Sequence, residues 1–293
     1  MIYYLKCFDK VICLKLYCTV SDLLQFWLKR FCPNIMICEG VNNKCSTTYD
    51  FIIEFIESKK NSYKYEKNCL RLYGKLIDNV SYVAKLVTQC FQKLLIEDNI
   101  LIIPSSCVSK GQNGILIIGD FWQGKTSVAI NMTKKYGVDL LADNYVAIKD
   151  GFIIGTTSYI SIRKEDVDQN LQEIYSVNDR YFYENHSIDI KKVKIVGFLL
   201  PYINDGDNNI HIISKEESTW YLYQKFSRLL CGETILFDGM LPSPVFLNKH
   251  NSQKILNIVR TLLMNNNIKY TSTSMEKIVE EGFELLSTKE VAI

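Results

Sequence analysis

The sequence predicts an α/β fold with a mixed sheet, an N-terminal α/β region and C-terminal helices. Three observations carry that expectation. Apolar runs of strand length recur, with Ile100–Pro104 and Ile115–Ile118 the longest in the centre. Between such runs, apolar residues return at helical spacing, as at Val80, Val83, Leu86, Val87, Cys90 and Leu94. From Ser214 onward helical patterns dominate. The chain has 293 residues, 47% hydrophobic and 23% charged, enough for one elaborate domain or two modest ones. The softest boundary lies near Asp98, dividing an N-terminal region 1–98 from a domain 99–293.

In order along the chain, Tyr3–Phe8 and Val11–Tyr17 read as strands around an Asp9-Lys10 turn. Ser21-Asp22 caps an expected helix Leu23–Phe31, which Pro33 ends. Thr47–Ile56 and Tyr63–Tyr73 are β-rich, and an amphipathic helix is expected over Asn79–Ile96. Next come the two central strands, a helix Lys125–Tyr136 and a strand Asp139–Ala142. Short strands Tyr145–Ile148, Phe152–Ile154 and Tyr159–Ile162 form a meander punctuated by Gly151 and Gly155. A polar helical stretch should follow Arg163, then a polar, aromatic loop Asp179–Ser187, then a buried strand Val193–Leu200 ended by Pro201. Ser214-Lys215-Glu216-Glu217 has the form of a capping box and opens a helix to Leu230. A helix Ser252–Met264, a strand Ile268–Thr271 and a helix Ser274–Leu285 close the series.

Composition excludes several classes of function. Net charge is +2, so no overall field draws the chain to nucleic acid or an anionic membrane. No apolar run approaches the roughly 20 residues of a bilayer-spanning helix, and the first residues lack a secretory pattern. A cytoplasmic protein is expected. Of ten cysteines, nine fall at or before Cys107, none in a CxxC pair, and the three histidines are scattered. Zinc sites and disulfide frameworks need short paired spacings or a small secreted chain. Reduced thiols acting as small core hydrophobes are expected instead.

One motif carries chemistry. Gly119-Asp120-Phe121-Trp122-Gln123-Gly124-Lys125-Thr126 is a complete G-x-x-x-x-G-K-[ST] loop between an apolar strand and a helix. Its glycines let backbone N–H groups turn toward phosphate oxygens, and the helix N-terminus adds partial positive charge. Lys125 is placed to neutralise β- and γ-phosphates, with Ser127 beside it in the first helical turn. The Thr126 hydroxyl is placed to ligate Mg²⁺. Phe121 and Trp122 either cover a nucleotide or pack on the neighbouring strand.

The second element is Gly137-Val138-Asp139-Leu140-Leu141-Ala142-Asp143-Asn144, an apolar strand that delivers a carboxylate to its C-terminal end. Asp143 is a candidate Mg²⁺ ligand and general base; the competing reading is a turn aspartate that opens a hairpin. Arg163 ends a later strand as a candidate phosphate contact or a surface cation.

These two runs resemble the nucleotide-binding core of HPr kinase/phosphorylase and its relatives, over about residues 100–163. The resemblance implies a P-loop fold of the phosphoenolpyruvate-carboxykinase-like type, and ATP-dependent phosphorylation of a hydroxyl. It also implies that Lys125 and Thr126 hold phosphate and Mg²⁺, and that Asp143 serves catalysis as the base; Arg163 is a candidate for catalysis from its place at the strand end alone. Asn144 stands where the family has a second aspartate and retains a carbonyl oxygen for Mg²⁺. The family's histidine before the P-loop would fall near Pro104 and is missing, so HPr is not the expected acceptor. The expectation is a Mg·ATP-dependent kinase acting on a hydroxyl of a peptide, protein or small metabolite, without nucleic-acid or membrane partners. A homo-oligomer is left open. The alternative is a nucleotide-binding accessory protein or ATPase of a peptide-maturation pathway.

Overall fold

The computed structural model describes residues 1–17, 21–40, 48–60, 62–75, 80–120, 123–163, 175–177, 180–185, 192–232 and 244–287. It is an α/β protein with mixed sheets and, among the described residues, six α-helices. The chain forms two compact units, Met1–Ile100 with Ser227–Gln253, and Leu101–Phe226 with Lys254–Ile293. No described helix is long and apolar enough to cross a membrane.

The first unit is built on a six-stranded sheet. Its strands are β1 (Ile2–Cys7), β2 (Lys10–Leu16), β3 (Ile35–Glu39), β4 (Phe51–Glu57), β5 (Ser62–Glu66) and β6 (Cys69–Gly74), in the order β3-β1-β2-β4-β6-β5. β2, β4 and β6 are parallel; the remaining neighbours are antiparallel. Period-two alternation buries Tyr3, Leu5 and Cys7 of β1 and Phe51, Ile53 and Phe55 of β4. On the opposite face Glu54 accepts from Lys15 at 3.1 Å and Arg71 at 2.9 Å, its partners on the two flanking strands. Helices α1 (Ser21–Phe31) and α2 (Val80–Leu95) belong to this unit, and α2 is buried over most of its circumference. Gln89 donates to the Pro244 carbonyl at 2.8 Å, tying the late segment to α2. Lys93 lies 4.9 Å from the Phe51 ring, 5.2 Å from Tyr65 and 5.6 Å from Phe246.

The second unit begins with β7 (Leu101–Pro104), β8 (Ser106–Lys110) and β9 (Asn113–Ile117), followed by α3 (Lys125–Tyr136). Then come β10 (Asp139–Ala142), β11 (Tyr145–Lys149), β12 (Phe152–Thr156), β13 (Tyr159–Arg163), β14 (Tyr175–Val177) and β15 (Arg180–Glu184). The long β16 (Val193–Ile203) and β17 (Asn209–Ile212) precede α4 (Lys215–Ser227) and α5 (Lys249–Asn265), of which Lys254–Asn265 lies in this unit. β18 (Ile268–Thr273) and α6 (Met275–Ser287) end the series. The main sheet runs β10-β8-β9-β16-β12-β11-β7, with β18 joined to β16 and β17. β9, β16 and β18 are parallel to one another. β16 is shared: its first residues pair with β12 and its last six with β18.

α3 and α6 bury Val128, Ala129, Met132, Ile278 and Val279 against β9 and β16. The two helices approach so closely that a Cβ on Gly282 would stand 2.9 Å from the Met132 sulfur and 3.1 Å from Leu199. The Tyr136 and Phe283 rings stack at 4.0 Å. At the start of α4, Ser214 Oγ accepts the Glu217 N–H at 3.2 Å, the N-cap half of the expected capping box, and donates to the Glu217 carboxylate at 2.8 Å. Lys215 caps α5 by donating to the Leu263 and Asn266 carbonyls.

Three expectations need correction. Residues 180–184 are not a loop but β15, the middle strand of a separate three-stranded sheet β13-β15-β14. Their Tyr-Phe-Tyr run is strand chemistry, with Phe182 and Tyr183 buried. Pro201 does not end β16. Leu199 accepts from Ile118 of the β9 side, so alternate residues 199, 201 and 203 face that side. β9 has already stopped there, and no ladder bond is lost at Pro201. β13 also belongs to this second sheet rather than to a continuous meander. The helix expected after Arg163 lies outside the described residues.

Candidate functional site

The site is assembled at the C-terminal end of β9. Ile118 donates to Leu199 at 2.9 Å, carrying the strand one residue further, and the chain then turns at Gly119 with φ of 152°. It re-enters helix at Gly124, φ 80°, whose carbonyl accepts from Val128 at 2.8 Å. The positive φ at both positions is what calls for glycine; an added Cβ would meet only side-chain ends, Gln123 Oε1 at Gly119 and the Ile203 Cδ1 of β16 at Gly124. α3 begins at Lys125 with no acidic residue in its first turn and has Lys134 and Lys135 in its last. Its positive end is therefore uncompensated by its own side chains, the condition for binding an anion.

Within the loop, Lys125 Nζ donates to the Asp120 carbonyl at 2.6 Å. The Asp120 N–H donates to Gln123 Oε1 at 2.6 Å, showing that this amide already points at an oxygen acceptor inside the loop. The Asp120 carboxylate meets Lys225 of α4 at 2.5 Å. Thr126 and Ser127 follow in the first turn of α3, half-buried. Phe121 and Trp122 lie outside the described residues.

Asp143 stands at the same end of the sheet. Ser106 of β8 is opposite Ile117 of β9, and Cys107 is opposite Ala142 of β10, so Asp143 follows at the level where the loop begins. One strand intervenes, which sets the two backbones about 10 Å apart at ordinary strand spacing. Asp143 marks a break in the ladders. β7 passes into β8 through Ser105 and β10 into β11 through Asp143-Asn144; Ser105 donates to the Asn144 carbonyl at 3.0 Å and Ser106 Oγ to the Asp143 carbonyl at 3.2 Å. The Asp143 side chain is 6% exposed, and its Oδ2 accepts from the Ser161 N–H of β13 at 2.9 Å. Ser161 Oγ in turn accepts from Arg180 at 2.6 Å. Asn185 donates to the Leu141 and Thr157 carbonyls at 2.7 and 3.0 Å, fastening the small sheet to β10. The buried trio Ile130, Ile162 and Tyr183 packs it on α3.

The structure thus brings the loop, Lys125, Thr126 and Asp143 to one sheet end and gives Asp143 a structural bond as well. Arg163 is the last residue of β13, opposite Arg180 in register. Among the described residues no group of three or more His, Cys, Asp or Glu gathers as a metal site. Mg²⁺ needs less: it keeps most of its waters and takes one or two protein oxygens beside substrate phosphates. Thr126 and Asp143, with the Asn144 side-chain amide next to it, carry oxygens of that type.

Lys225 is the site residue that sequence reasoning missed. Its helix was legible from the capping box, but nothing in the sequence connects it with Asp120, 105 positions away. It lies 5.0 Å from the Tyr221 ring and is 11% exposed.

No family model matches the chain. A curated protein, tRNA dimethylallyltransferase of Fusobacterium nucleatum subsp. nucleatum, is 20% identical over 198 residues, which cover 60% of this chain. The match spans 65% of that relative's length.

Proposed function

We propose that the chain is a nucleotide-dependent transferase whose polyphosphate group binds at Gly119–Thr126. In its specific form the proposal is a Mg·ATP-dependent kinase related to HPr kinase, acting on a hydroxyl of a peptide, protein or small metabolite. The observation that supports it is the shared position of the loop and Asp143 at one end of the sheet. The backbone donors of the loop and Lys125 hold the phosphates and compensate charge on the transferred group and the leaving diphosphate. Mg²⁺, when bound with the nucleotide, would supply further neutralisation beside Thr126. Asp143, oriented by the Ser161 N–H, accepts the acceptor's proton as the hydroxyl attacks in line. Incubation with γ-labelled ATP and candidate acceptors tests this reading. Label on an acceptor is the expected result; release to water only would favour the accessory ATPase.

A second reading has its own support. The relative's name describes transfer of a dimethylallyl group to tRNA, and the similarity extends over 198 residues. An anion loop of this kind serves a diphosphate leaving group as readily as a nucleotide. Assay with dimethylallyl diphosphate and tRNA separates the two: incorporation into tRNA, with no label moved from ATP, selects the second.

A further inference from the structure

We propose that Lys225 is a phosphate-positioning residue of the Gly119–Thr126 loop, poised on Asp120 and transferred to the bound polyphosphate. The inference rests on the polyphosphate-binding reading above and deepens it. Asp120 places a carboxylate, 58% exposed, within a loop whose sequence is that of an anion-binding turn. Lys125 and Asp120 alone would cancel, leaving only the partial charge of α3 to attract a phosphate. Lys225 restores the positive balance. Its ammonium is held at 2.5 Å from the Asp120 carboxylate, while its stem lies along α4 beside Tyr221 with only 11% of the side chain exposed. A lysine so confined is already ordered, so little rotamer entropy remains to be lost when a phosphate arrives. The exposed carboxylate is the mobile partner: it can swing to solvent while the ammonium stays and takes a phosphate oxygen instead. Both residues belong to the same compact unit, so the exchange needs no rearrangement between units.

A purely structural ion pair makes a different prediction. If the pair only braced the loop, breaking it from either side would weaken binding alike. The proposal requires opposite signs, because Lys225 attracts the ligand and Asp120 repels it. Titration calorimetry with ATP, ADP and inorganic triphosphate, on the full chain, reads the difference. K225M should weaken triphosphate and ATP binding by about tenfold to a hundredfold, the range for a charge-assisted hydrogen bond. K225R should restore most of it, and D120N should tighten binding by about threefold to tenfold at low salt. Melting temperatures of all variants identify any that fail to fold. Equal losses from K225M and D120N, or wild-type affinity in a folded K225M, would overturn the proposal. The underlying reading has a separate control: wild type that binds none of the three ligands, or binds them unchanged in K125A, removes the polyphosphate site itself.

Discussion

The two units solve a similar folding problem and leave different chemistry at the surface. Each has a mixed sheet with parallel strands and helices. In the first unit, α1 carries Asp22 in its first turn, which compensates the helix N-terminus. In the second, α3 starts at Lys125 with no acid in its first turn. The first unit holds thiols of both kinds: Cys7, Cys13, Cys32 and Cys90 are interior, and burial raises the thiols of Cys13, Cys32 and Cys90, while Cys38 and Cys231 are exposed with no metal-binding cluster of His, Cys, Asp or Glu among the described residues. The contrast teaches that a reactive residue type is not a site. What sets the second unit's loop apart is the helix start at Lys125 without an acid beside it, not the burial of its side chains, since Asp143 is itself buried.

Substitutions can break this contrast in either unit. The largest effect is expected at Asp143. Asp143→Asn should lower phosphoryl transfer by about 10²–10⁴-fold while keeping an acceptor for Ser161. Asp143→Ala should in addition cost about 1–3 kcal/mol of stability, since the buried Ser161 N–H loses its partner; turnover and denaturant titration measure the two parts. Wild-type turnover in Asp143→Asn would remove the base assignment. Lys125→Ala should weaken ATP binding by about a hundredfold with little change in melting temperature, the mark of a residue that serves the ligand.

The first unit should answer the other way, in stability and without effect on ligand. Burial, with Arg30 nearby, lowers the Lys85 ammonium from its ordinary 10.5 to about 8. Between those values the unfolded chain binds the proton more tightly than the folded one, so stability rises with pH across that window. Below about pH 8 the penalty is in full force. Lys85→Met should therefore stabilise by about 1–3 kcal/mol at pH 7, with the gain shrinking as pH approaches 10.5. The smallest effect is expected from Cys90→Ala, about 1 kcal/mol from a lost buried sulfur, read by denaturation with nucleotide affinity unchanged. A thiol reagent that modified native Cys90 rapidly would contradict its burial.

Much of the site was legible because its signals are local. The bounds of α3 and β10 follow directly from Gly124-Lys125, Gly137 and the apolar Leu140–Ala142, and the structure has Lys125–Tyr136 and Asp139–Ala142. What escaped was long-range. The Lys225–Asp120 pair, the bond from Ser161 to Asp143, and the placement of β15 in its own sheet depend on contacts between distant segments. β8 was hidden because Ser106-Cys107-Val108-Ser109 reads as polar, whereas both serines are buried between β9 and β10, Ser106 beside the ladder break and Ser109 paired with Gly114 and Asp139. Pro201 misled because a proline stops a strand only where its missing donor had a neighbour.

The sharing of β16 has a consequence for assembly during synthesis. A nascent chain that has emerged only as far as α3 possesses the whole Gly119–Thr126 motif, yet Ile118 lacks the Leu199 carbonyl that anchors it. β16 in turn lacks β18, whose Ile268–Thr273 pairs along its last six residues. The loop therefore matures late, after contacts of high sequence separation have closed, which is the slow route to a sheet. Until then the polypeptide carries a ligand motif without the frame that gives it shape, and early fragments ending before β18 should not bind nucleotide.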